Sequence, residues 1–248
     1  MADQREVPTG ALAEGGRVPE GGALPEAAPL PEVAPLLEDG FLEVGDGHRV
    51  LYEVSGAETG IWSLYLHGGP GGRLRSGYRR NAPAELFRNV GFSQRGAGRS
   101  TPSAATAAHD LATNTTAHLI ADIERLRSHL GVESWVVQGV SWGTHLALAY
   151  AQARPTRVRG IVLMAVAITD RKYVDWITEG VGAVYPEGWD AFAVFAEEHG
   201  GFDRADRSTN RMRLVEAYRD MLASDDEELV DAAAREWMAW EAEHIRIG

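Results

Sequence analysis

Cysteine is absent from the 248 residues, which removes disulfides, thiolate nucleophiles and Cys-ligated zinc together. The absence also fits a reducing compartment. No leader-like segment is visible and no apolar run reaches membrane-spanning length, so a cytoplasmic protein is expected. Lysine is nearly missing too: Lys172 is the only one, and almost every base is an arginine. Positive charge is scarce overall, with 24 Lys and Arg against 36 Asp and Glu, a formal charge of −12. That balance disfavours a nucleic-acid backbone or an anionic membrane as partner and leaves the oligomeric state open.

Residues 1–38 are short of aromatic and β-branched residues. Ala, Gly, Pro and Glu dominate, and VPE, LPE and LPE recur with Pro19, Pro25 and Pro31 six residues apart. Such a tract buries too little to offset its ordering entropy, so it reads as a disordered, polyproline-like arm. The pattern changes over residues 39–169. Apolar and polar residues alternate on both sides of Gly45-Asp46-Gly47, predicting an antiparallel hairpin. WSLYL and LFRNVGF are strands that run into glycine-rich loops. In NTTAHLIADIERLRSHLG, Leu119, Ile120, Ile123, Leu126 and Leu130 share one helical face; Asn114 or Thr115 begins the helix and Gly131 ends it. Solid apolar strands alternating with helices predict an α/β fold, a mostly parallel sheet flanked by helices. Residues 170–248 lack strand patterns and read as a helical cap after the sixth strand, with Ser224-Asp225-Asp226-Glu227 starting one of its helices.

The chemistry centres on VVQGVSWGTHLALAY. A Gly-x-Ser-x-Gly run between a strand and a helix is the pattern of a nucleophile elbow, whose sharp turn lifts the serine hydroxyl clear of the sheet. Ser141 is the expected nucleophile, and Gly139 and Gly143 are needed where strand and helix pass closely. The Trp142 N–H, at the start of the helix, is one expected oxyanion donor. HGGPGG follows the third strand and supplies the other, the Gly69 N–H, with Gly68 allowing close backbone approach and Pro70 fixing the loop. His67 is expected to serve the packing of this loop. The run lacks the Lys-Ser/Thr ending of a phosphate loop, so nucleotide binding is not expected.

HGGPGG, FSQRGAGRSTP, NTTAHLIADIERLRSHLG and GVSWGTHLALAYAQARP stand in an order and spacing that resembles the proline iminopeptidases of the α/β-hydrolase superfamily. WITEGVGAVYPEGWDAF and AAAREWMAWE resemble that family's helical cap. The resemblance implies an α/β-hydrolase fold and a serine acyl-enzyme that releases proline from a small peptide with an N-terminal proline, with no metal or organic cofactor. It also implies that acidic cap residues, at the positions of Glu179 and Glu241, hold the free amino group. A carboxylate there would pair with a cationic secondary amine and orient the scissile carbonyl. Two positions depart from the family pattern. Ser93 precedes Gln94-Arg95-Gly96 where the family has aspartate, and Val140 precedes Ser141 where it has glycine.

On this fold the acid and then the histidine come after strands that follow the cap. Downstream of Ser141 the histidines are His145, His199 and His244. His145 is expected to face the sheet or a neighbouring helix, His199 to end a helix, and His244 to lie in the last residues. The sequence therefore predicts a chain without its triad acid and base, impaired in turnover, with Ile161–Val166 left as an open sheet edge. Two other readings stand beside it: an esterase or amidase of the same fold, and a non-catalytic remnant.

Overall fold

The structure is a computed structural model that describes residues 31–106, 110–206 and 213–245. The alternation around Gly45-Asp46-Gly47 folds into an antiparallel hairpin of β1 (Leu36–Gly45) and β2 (His48–Gly56). All three turn residues take positive φ, which two glycines and an aspartate tolerate better than other residues. The hairpin starts earlier than expected. Leu36 lies opposite Ser55 and Glu38 opposite Val54, so the end of the expected arm (1–38) belongs to the sheet. Ladder pairing with β2 orders a stretch whose own composition is tail-like. Residues 1–30 of that arm lie outside the described residues.

Four further strands, β3 (Ile61–Leu66), β4 (Phe87–Phe92), β5 (Trp135–Val140) and β6 (Val158–Met164), complete a sheet of order β1-β2-β4-β3-β5-β6. β4, β3, β5 and β6 run parallel, and β2 joins β4 antiparallel. Parallel neighbours need crossovers, and α1 (Thr116–His129) and α2 (Trp142–Ala153) provide them before and after β5. On α1, Leu119, Ile123 and Leu126 are buried, with Ile120 and Leu130 packed beside them. The helix stops where Gly131 turns to φ 65°. These residues close over Leu64, Leu66, Val90, Phe92 and Val137 of the sheet, while Leu146 and Tyr150 come from α2. Full burial of one such aliphatic or aromatic side chain stabilises by about 1.5–3 kcal/mol.

After β6 the chain is helical among the described residues: α3 (Arg171–Thr178), α4 (Pro186–His199), α5 (Arg213–Leu222) and α6 (Glu227–Ile245). These helices share their own aromatic core. Phe192 stacks on Tyr218 with ring centroids 4.2 Å apart and on Trp240 at 5.6 Å. The polar ends of these rings are satisfied, Tyr218 donating to the Phe192 carbonyl and Trp240 to the Ile177 carbonyl, each at 3.0 Å. Asp226, two residues past Ser224, caps α6 by accepting from the Glu228 and Leu229 N–H groups. His199 is the last residue of α4.

Among the described residues β6 is the outer strand on its side of the sheet. Ile161 and Val162 on it, and Val166 and Ile168 just after it, are 38–66% exposed. An apolar edge with unpaired backbone groups templates pairing with another strand. Concentration-dependent association is expected in size-exclusion chromatography with light scattering, and Val162→Lys should reduce it. A monodisperse monomer for the unaltered chain would contradict this.

Candidate active site

The site is built where β3 and β5 end side by side and α2 begins. Ser141 occupies the sharp turn out of β5 with φ 53° and ψ −123°, a left-handed conformation rare for a residue with a side chain. Three hydrogen bonds over-determine it. The Ser141 N–H donates to the Met164 carbonyl at 3.0 Å, and the Ser141 carbonyl accepts from the Thr144 N–H at 2.8 Å and the Thr144 hydroxyl at 2.7 Å. Thr144 Oγ1 also accepts from the Ala167 N–H at 3.0 Å, tying the elbow to the segment after β6. Val140 is the last residue of β5, paired with Met164. Its extended backbone suits a β-branched side chain, so the departure from glycine there is accommodated.

The two elbow glycines are set by close approach. A β-carbon on Gly139 would run into the Gly143 carbonyl, and one on Gly143 into the Leu66 carbonyl. The first turn of α2 thus rides directly against the end of β3, from which His67–Gly72 continues. A β-carbon on Gly68 would lie 3.1 Å from Ser141 Cβ and 3.6 Å from its Oγ, so this loop is packed against the serine. Gly69 has φ 126° and leads through a cis peptide bond into Pro70. A side chain at Gly69 would meet the Gly71 and Gly72 nitrogens at 2.6 Å.

His67 and Gln94 hold the loop. His67 is buried, and its Nε2 accepts from the Gln94 N–H at 3.0 Å while Nδ1 lies 2.8 Å from the Gly68 carbonyl. An acceptor at Nε2 places the proton on Nδ1, which donates to Gly68. Burial holds the imidazole pKa below its usual value, against the opposing pull of the Gly68 carbonyl. Both nitrogens are committed, so His67 is a neutral positioning group. Gln94 returns a second bond, Nε2 to the His67 carbonyl at 3.0 Å, and its Oε1 accepts from the Trp142 indole at 3.3 Å. This residue, passed over in sequence, clamps the loop to the elbow helix. Its one signal was its place inside SQRG.

Arg95 lies beneath the site. Its side chain is fully buried and uses all its donors: Nε and Nη2 grip both Asp122 oxygens at 2.6 and 2.9 Å. Nη1 donates to Asp46 and the Thr113 carbonyl, and Nη2 also donates to the Val44 carbonyl, each at 2.9 Å. Arg95 therefore joins the first hairpin, the segment before α1 and α1 itself. Ser93, in the family's aspartate position, is buried with its N–H on the Leu51 carbonyl and its own carbonyl accepting from Ser100.

The structure does not gather every expected residue. Glu179, at the end of α3, is mostly buried; Oε2 accepts from Arg213 at 2.8 Å, and Oε1 is buried with no hydrogen-bond partner among the described residues. Glu241 is exposed on α6, with Oε1 accepting from the Trp237 indole one turn back at 3.1 Å. Among the described residues no hydrogen bond or ion pair links either glutamate to Ser141. His145 corrects the expectation for it. It stacks on Trp142 with centroids 4.8 Å apart and pairs with Thr169 at 2.8 Å, facing the segment after β6 instead of sheet or helix. An i,i+3 step on α2 puts it over Trp142.

This sheet, elbow and loop define the class: the chain belongs to the α/β-hydrolase fold family, matching it over residues 64–198. Within that family it is similar to proline iminopeptidases. It is 43% identical over 203 residues to the Arabidopsis thaliana proline iminopeptidase, covering 82% of this chain and 50% of that protein. Identity to a probable proline iminopeptidase of Streptomyces coelicolor is 42% over 208 residues, 84% of this chain and 62% of the relative. The chain thus spans between half and less than two-thirds of the length of these relatives. Among solved structures, a proline iminopeptidase-related protein of Thermus thermophilus matches with a TM-score of 0.51 at 25% identity, covering 83% of this chain and 66% of that one. The Mycobacterium smegmatis proline iminopeptidase shares the fold at a TM-score of 0.51 and 19% identity, over 84% and 68% of the two chains.

Two substitutions test this geometry. Ser141→Gly is expected to be more stable than Ser141→Ala by about 1 kcal/mol in chemical denaturation, because glycine relieves the left-handed turn. Equal stabilities would mean the turn carries no strain. Arg95→Met leaves the buried Asp122 with only the longer contact from Arg125, at 3.5 Å, and is expected to cost about 3–5 kcal/mol; a loss below about 1 kcal/mol would contradict the anchoring role.

Proposed function

We propose that the chain carries the acyl-transfer half-site of a serine hydrolase of the proline iminopeptidase type. Ser141 Oγ attacks the carbonyl of an N-terminal proline, its proton passing to solvent water. The carbonyl oxygen becomes an oxyanion received by the Trp142 and Gly69 N–H groups, neither of which has a protein acceptor among the described residues. Collapse breaks the prolyl C–N bond, the leaving amine takes up a proton, and water then releases proline from the ester on Ser141. The observation that carries this reading is the left-handed Ser141 with Gly68 so close that a β-carbon there would lie 3.1 Å from Ser141 Cβ and 3.6 Å from its Oγ.

Glu179 is the better-supported anchor for the substrate's ammonium, since Arg213 occupies only one carboxylate oxygen and the other is buried and unpartnered. A secondary ammonium there would complete the carboxylate and select peptides with a free amino terminus. Glu241, exposed and held by Trp237, is the second acidic group assigned to this role.

No imidazole among the described residues hydrogen-bonds Ser141 Oγ, and His67 and His145 are committed elsewhere. In a serine protease, loss of the triad histidine costs about 10⁶ in turnover and leaves about 10³–10⁴ over water. Slow turnover is therefore expected from these 248 residues. With a proline-amide reporter and a simple ester in parallel, release should be detectable with the prolyl amide and abolished by Ser141→Ala. Preference for the ester would move the reading to an esterase of the same fold. Equal rates for the Ser141→Ala and unaltered chains would leave it no catalytic content.

A further inference from the structure

A cleft of about 1000 Å³ opens beside the His67–Gly72 loop, walled by Gly68, Ser93 and three arginines, Arg73, Arg75 and Arg99, with Met238 of α6 also lining it. Three arginines lining one cleft run against the charge of a chain at −12. The backbone brings two of them together: Gly98 takes φ 58°, and a β-carbon on it would lie 3.3 Å from the Arg73 Cβ, which places Arg99, the next residue, beside Arg73. Among the described residues Arg73 and Arg75 form no ion pair, and Arg99 lies only over the Phe41 ring, 5.7 Å from its centroid. The acid that lines the cleft, Glu53, is already neutralised by Arg79 at 2.6 Å. Among the described residues, positive charge in this cleft therefore lacks a counter-charge.

Gly68 forms part of the cleft wall and is also the residue packed on Ser141. A substrate at the serine thus has one end within reach of the arginines. The cationic amino terminus would be repelled there, so the end that enters is the leaving-group end. We infer that the Arg73–Arg75–Arg99 cleft binds a carboxylate on the leaving-group side of the scissile bond, making peptides with an acidic residue or a free carboxyl terminus just after the proline the preferred substrates. The inference rests on the reading of Ser141 as the reacting centre. Guanidinium groups suit this role because their planar fork can hold both oxygens of a carboxylate.

Isothermal titration of the full chain tests the inference without requiring turnover. Four peptides are used: prolyl-glutamate amide, prolyl-glutamine free acid, prolyl-glutamine amide and alanyl-glutamate amide. At low ionic strength one or both prolyl carboxylate peptides should bind about fivefold tighter than the carboxylate-free prolyl-glutamine amide, the upper range for exposed pairs. Which of the two gains shows whether a side-chain or a terminal carboxylate is read. That advantage should shrink at physiological salt, and Arg73→Gln with Arg75→Gln should bring the ratio to about one. Arg75→Glu should reverse the order. Equal affinity of all three prolyl peptides, or an advantage that survives the double substitution, overturns the carboxylate cleft and leaves the proline reading standing. Equal affinity of the alanyl and prolyl glutamate amides keeps the cleft and overturns the proline reading. No binding by any peptide overturns both.

Discussion

The contact between the first turn of α2 and the end of β3 governs the rest of the site. Gly143 lies so close to the Leu66 carbonyl that no side chain fits between them, and Gly139 is held in the same way against Gly143. Because helix and strand meet at backbone distance, the loop leaving β3 emerges beside the serine leaving β5. The left-handed Ser141 and the close approach of Gly68 to it both follow from that contact. A wider spacing would separate the serine from the groups proposed to receive its oxyanion, and a misplacement of about 1 Å in such a site costs on the order of 10² in rate.

Two neighbouring residues keep this geometry from drifting. Gln94 binds His67 through its backbone N–H and its side chain and reaches the Trp142 indole, so the loop and the elbow helix share one clamp. Arg95 turns the other way, into the protein, and spends its donors on Asp122, Asp46 and two carbonyls. Adjacent residues of one loop thus tie the site above to the hairpin and α1 below. A buried guanidinium with every N–H used is tolerated because its charge is met by two carboxylates, one of them fully buried. With these bonds in place, serine at position 93 and valine at position 140 leave the elbow intact.

What sequence revealed were the features encoded locally. The hairpin alternation, the apolar face of α1 with its terminal glycine, and the strand–turn–helix around Ser141 each depend on neighbours a few residues apart. The Gly68 contact with Ser141 follows from the loop's place after the third strand. What stayed hidden was long-range polar pairing. Asp122 sits in the middle of α1, where a charged residue reads as solvated, yet Arg95, 27 residues earlier, buries it. Glu179 meets Arg213 from 34 residues away. Gln94 gave no pattern of its own, and Leu36–Glu38 looked like a tail until β2 supplied a partner. The expected pair of glutamates is not brought to the serine by any hydrogen bond or ion pair among the described residues; one is tied to Arg213 and the other is exposed.

The central claim is that Ser141 is a nucleophile made reactive by its turn and its surrounding N–H groups. Intact-mass spectrometry after exposure to a fluorophosphonate reads this directly, since phosphonylation demands attack by the serine oxygen and an oxyanion site for the phosphoryl oxygen, and does not require completed turnover. The account predicts one adduct per folded chain, mapped to Ser141 and absent in Ser141→Ala. A folded chain that takes no adduct, or takes it equally in the alanine variant, would contradict it.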